Sequence, residues 1–101
     1  MKKERIQQIE TIEWRGIEVK VTYEPDWLGM GYTAHLQLEA VRPERVKLPV
    51  TETGYRSHFL SIGRIEAFGG PTAYALGWLD EAAATKEWKA IEAASRQLSL
   101  F

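Results

Sequence analysis

Residues 51–59, TETGYRSHF, gather an unusual set of reactive groups: three hydroxyls (Thr51, Thr53, Ser57), a phenol (Tyr55), a guanidinium (Arg56) and an imidazole (His58). Arginine beside hydroxyls suits an anion. Serine beside histidine suggests a nucleophile and its base, but side chains of adjacent residues diverge, so the two make a poor pair. The simpler expectation is a polar loop whose hydroxyls cap backbone groups, with Tyr55 and Phe59 packed inward. Tyr55, Arg56, Ser57 and His58 are therefore carried forward as a possible ligand or partner loop, and no catalytic residue is assigned. The only histidines, His35 and His58, are not at metal-ligand spacing, and there is no cysteine. No metal site and no cofactor are expected. Gly69-Gly70-Pro71 lacks the pattern of a phosphate loop and reads as a stop and start between helices. The stretch DWLGMG at 26–31 offers Trp27, Leu28 and Met30 either as a core plug or as a protein-binding knob.

The sequence closes on QLSLF, residues 97–101. The final residues of a domain are usually frayed, and apolar side chains gain nothing in water, so this end is expected to want a pocket. The string resembles the peptide with which bacterial replication and repair proteins dock on the β sliding clamp of the DNA polymerase III holoenzyme. Its consensus, Gln-Leu-Ser/Asp-Leu-Phe, is met at all five positions: Gln97, Leu98, Ser99, Leu100 and Phe101. A chance match at one given place is on the order of one in a million from average residue usage. The resemblance implies that Leu100 and Phe101 enter a hydrophobic pocket, that Gln97 fixes the register by hydrogen bonds, and that Leu98 fills an adjoining crevice. It covers five residues and implies nothing about the fold.

A second likeness is broader. LPVTETGYRSHF, then GGP and GWLDEAAATKEW, with the QLSLF end, resembles small uncharacterised proteins carried by bacterial plasmids and integrated elements. It implies an accessory or anti-defence role for a mobile element and names no activity.

The elements that must position these groups are read from periodicity. In IEVKVTY, Ile17, Val19, Val21 and Tyr23 alternate with Glu18, Lys20 and Thr22, the period of a half-buried strand. With QIETIEW upstream and Arg15-Gly16 between them, residues 8–14 and 17–23 form a hairpin. TAHLQLEAV alternates in the same way and makes a third strand, which Pro43 ends. RVKLPV offers a short fourth strand with Val46, Leu48 and Val50 inward. Beyond the loop at 51–57 the period changes. A short helix follows Ser61 as N-cap, another follows Pro71 with Leu76, Leu79 and Ala83 on one stripe, and a last one follows Thr85 with Trp88, Ile91, Ser95 and Leu98 at helical spacing.

These elements predict an α+β fold: a three- or four-stranded antiparallel sheet in the N-terminal half, packed by two or three C-terminal helices. One domain is expected over 1–96, with 97–101 as a linear peptide. The chain has 101 residues, four Trp, four Tyr, three Phe and a net charge of −1. Near-neutral charge argues against broad attraction to nucleic acid or membrane. Arg42, Arg45 and Lys47 alone would give weak, salt-sensitive phosphate binding. The charged start MKKERIQQIE is unlike a signal peptide, no apolar run is long enough to span a bilayer, and a cytoplasmic location is expected. The resulting expectation is a non-enzymatic protein docking on the sliding clamp. The alternatives are an anti-CRISPR or anti-restriction inhibitor acting by protein binding, and a small enzyme or anion site at 51–59.

Overall fold

The computed structural model describes residues 7–25 and 32–98, with side chains up to residue 94. Four strands, β1 (Gln8–Trp14), β2 (Ile17–Glu24), β3 (Thr33–Arg42) and β4 (Tyr55–Ser61), precede three helices, α1 (Ile62–Ala67), α2 (Pro71–Ala83) and α3 (Lys86–Leu98). The sheet is an antiparallel meander in the order β1-β2-β3-β4. The expected α+β architecture is the observed one.

Alternation decides the two faces. Val19, Val21 and Tyr23 of β2 and Ala34, Leu36, Leu38 and Ala40 of β3 are buried, and they meet Leu60 of β4 across the register pair Ala34–Leu60. Ile65 of α1, Tyr74, Ala75, Leu79 and Ala83 of α2 and Trp88 of α3 close over this face. Each fully buried aliphatic side chain contributes about 1.5–3 kcal/mol of hydrophobic stabilisation, so this one layer is the main source of stability. The opposite face carries Thr22, Glu24, His35, Gln37, Ser57 and Phe59.

Local chemistry sets the boundaries. Arg15 (φ 50°) and Gly16 (φ 83°) make the β1–β2 turn, the doubly left-handed geometry that matches strand twist. Ser61 caps α1 by accepting from the Arg64 amide, and Thr85 caps α3 by accepting from the Trp88 amide. Pro71 stands at the start of α2, where its missing N–H costs nothing.

The fourth strand lies elsewhere than the periodicity suggested. Residues 45–50 form no strand. The segment after β3 makes only isolated bridges, Val41–Glu44 and Leu48–Thr51, although Leu48 is buried and Val46 and Val50 pack partly against the core. The strand that completes the sheet is β4, within the segment read as a loop. The turn before it is held by Gly54 at φ 78°, whose carbonyl accepts from the Ala40 amide at 2.8 Å.

Candidate functional site

Because residues 55–59 belong to β4, their side chains separate to opposite sides of the sheet. Arg56 and His58 point toward the helices. The His58 ring lies 4.9 Å from that of Trp78 on α2, and the Arg56 guanidinium stands 5.9 Å over the same indole. Tyr55, Ser57 and Phe59 lie on the other face. The four residues nominated from the sequence therefore do not converge. Thr51 and Thr53 cap backbone groups, as expected: both hydroxyls donate to the Tyr55 carbonyl, at 2.9 and 3.2 Å, and the Thr53 amide donates to Thr51 Oγ1.

The open face holds a connected polar network. Tyr55 donates to Gln37 Oε1 at 3.1 Å, which turns Gln37 Nε2 toward His35 Nδ1 at 3.3 Å. His35 Nε2 lies 2.5 Å from Ser57 Oγ, with donor and acceptor set by the ring tautomer. The contact is a clasp that joins β3 to β4 across the open face. The Phe59 ring stacks on His35 at 4.5 Å. Glu24 and His35 are only 4% and 5% exposed, and Gln7 Nε2 donates to Glu24 Oε1 at 2.9 Å. Farther along, Glu39 pairs with Lys20 and with Arg45, and Arg45 reaches over the Tyr55 ring.

Both histidines titrate below the ordinary value of 6.5. Burial is the main cause for each. The Glu24 carboxylate partly opposes it at His35, whereas Arg56 and Arg64 reinforce it at His58. The rings lie on opposite faces of the sheet, so they cannot share an ion. Among the described residues no group of three or more His, Cys, Asp or Glu is placed to hold a metal. The partnership of Ser57 with His35 and Gln37 was invisible in the sequence, because it arises from the β3–β4 register that sets Gln37 opposite Ser57. The aromatic and apolar character of Tyr55, Phe59 and Leu60 just after Gly54 was the only available signal for it.

The terminal peptide continues from α3. Trp88 is the only buried side chain of α3 up to residue 94; it packs against Trp14 with ring centroids 6.0 Å apart. Arg15 on the hairpin turn adds a two-point contact to Glu92, at 2.9 and 3.1 Å. Lys89, Ala90, Ile91, Ala93 and Ala94 are exposed. The backbone of Gln97 and Leu98 belongs to the last turn of α3, while Ser99, Leu100 and Phe101 lie outside the described residues, as do Trp27, Leu28 and Met30. No helix among the described residues is long and apolar enough to cross a membrane.

A family model described as the KlcB third domain, from a plasmid-associated family, matches residues 7–88. That span covers all four strands, α1 and α2, and ends on Trp88, so the match rests on the sheet and the helices that close it. No curated protein and no solved structure matches the chain.

Proposed function

The chain belongs to the KlcB third-domain family, and from that premise we propose that it is a non-enzymatic accessory protein of a mobile element that docks on the bacterial β sliding clamp through residues 97–101. The observation that carries this reading is the five-for-five agreement of Gln97, Leu98, Ser99, Leu100 and Phe101 with the clamp-binding consensus, placed just past the family domain. Two features of α3 support it. The helix is tied to the body by Trp88 and Glu92, and its side chains at 93 and 94 face solvent. The last four carbonyls of a helix have no partner within it, so Gln97 and Leu98 can leave the final turn at small cost and extend into a groove.

Leu100 and Phe101 would then be the anchors. Burying two such side chains is worth about 1.5–3 kcal/mol each, offset in part by ordering the tail. The expected affinity is modest, and tethering to a ring with more than one site would raise it. The test is binding of purified clamp to the full chain and to a chain lacking residues 97–101. The reading requires binding by the first and none by the second. Undiminished binding by the truncated chain would exclude it.

A second reading, an inhibitor of a host defence system, is favoured by the open sheet face. Phe59 is 52% exposed there, beside a partly exposed Tyr55, and aromatic side chains of this kind anchor protein interfaces. Affinity capture from host lysate separates the two: clamp in the first case, a nuclease complex in the second. The separation of Arg56 and His58 from Tyr55 and Ser57 argues against a small enzyme at 51–59.

A further inference from the structure

Between the tip of the β1–β2 hairpin, the segment after Pro43 and helix α3 lies a groove of about 690 Å³. Its volume is within the roughly 300–1,000 Å³ typical of small-ligand sites. Trp14, Ile17, Val46, Trp88 and Ile91 supply aromatic and branched surface. Ile91 falls on the same stripe of α3 as Trp88 yet remains 40% exposed, because the groove stands where a packing partner would be.

The charges are not balanced. Arg15, Lys47 and Glu92 line the groove. Arg15 and Glu92 neutralise each other by two short hydrogen bonds. Among the described residues Lys47 has no ion pair or hydrogen bond, which leaves one uncompensated cation at the edge.

We propose that this groove binds a small amphipathic anion, with an aromatic or branched apolar body against Trp14, Trp88 and Ile91 and a single carboxylate or sulfonate beside Lys47. The proposal does not depend on clamp docking.

The probe is 8-anilinonaphthalene-1-sulfonate, with uncharged N-phenyl-1-naphthylamine as its counterpart, titrated into the full chain by fluorescence with energy transfer from tryptophan. Saturable binding of one sulfonate per chain is expected. Lys47→Gln should weaken the sulfonate about threefold, the size of a partly exposed ion pair, and leave the neutral probe unchanged. Ile91→Glu, which removes apolar wall and adds a negative charge, should weaken the sulfonate at least about tenfold and the neutral probe about fourfold, the worth of one buried methylene. Both sites are exposed, so neither change threatens folding. Deleting residues 97–101 should leave both probes bound. Absence of saturable binding would overturn the proposal, and so would equal affinities for the parent and both variants. Concentration-dependent dimerisation that excludes the probe would also overturn it, by showing a second copy in the groove.

Discussion

Replacing Gly54 by alanine should be among the most damaging single changes in the molecule, and Gly16→Ala supplies its control. Both glycines have left-handed backbone, with φ 78° and 83°, a conformation that costs an L-residue about 1–2 kcal/mol. At Gly16 nothing lies within 4 Å of the added Cβ, so that cost is the whole effect. At Gly54 the new carbon would stand 2.6 Å from Arg45 C and Cα and 2.8 Å from its carbonyl oxygen. These are backbone atoms and cannot swing aside as a side chain could. Relieving the overlap adds a cost of about 1–3 kcal/mol, and shifting the turn weakens the Ala40–Gly54 hydrogen bond, worth about 1 kcal/mol. The total for Gly54→Ala is about 3–6 kcal/mol, a large share of the 5–15 kcal/mol of a typical domain. At roughly 4 °C per kcal/mol for a chain of this size, the melting temperature should fall by about 12–25 °C, against about 4–8 °C for Gly16→Ala. Thermal denaturation followed by circular dichroism measures both. Equal shifts for the two variants would refute the argument that the Arg45 backbone occupies the space beside Gly54.

Three further outcomes follow from the same geometry. His35 and His58 both have folded pKa values below 6.5, so the unfolded chain takes up protons first; stability is full above about 6.5 and declines as pH falls through the interval below it. The melting temperature at pH 5.5 should therefore drop further below its pH 7.5 value in the parent than in a His35→Asn/His58→Asn variant, and identical drops would contradict the assignment. Trp14 Nε1 donates to Asp80 Oδ1 at 2.9 Å and ties β1 to α2; Asp80→Ala should cost about 1–2 kcal/mol in chemical denaturation, whereas Asp80→Asn, which keeps an acceptor, should cost less than about 0.5 kcal/mol. Ser57→Ala removes the partner of His35 Nε2 and should destabilise by about 1 kcal/mol without altering clamp binding.

The helices were legible because their boundaries are written locally. Ser61, Pro71 and Thr85 each stand where a helix start needs a cap or a fixed φ, and each does that work in the structure. β2 and β3 were legible because Val19, Val21, Leu36, Leu38 and Ala40 alternate with polar residues, so hydropathy and pleat share one period; β1 was legible from its β-branched and aromatic residues and the Arg15-Gly16 turn that follows it. β4 was not, because its helix-facing side is Arg56, His58 and Leu60. Two of these three are polar and lie against the ring of Trp78, so the strand has no apolar alternation to read. The segment 45–50 misled for the opposite reason. Val46, Leu48 and Val50 do turn inward, but they pack as an irregular segment whose ladder is reduced to single bridges. For the same reason the clasp of Ser57 with His35 could not be anticipated: it needs the register of a strand that the pattern hides.

The central claim meets its most direct test in calorimetric titration of purified sliding clamp with the full chain and with a Leu100→Ala/Phe101→Ala variant. Losing two buried apolar anchors should weaken binding by at least about a hundredfold. The parent should also be displaced by a synthetic peptide carrying another clamp-binding sequence. No heat of binding from the parent, or equal affinity for the parent and the variant, would contradict the account.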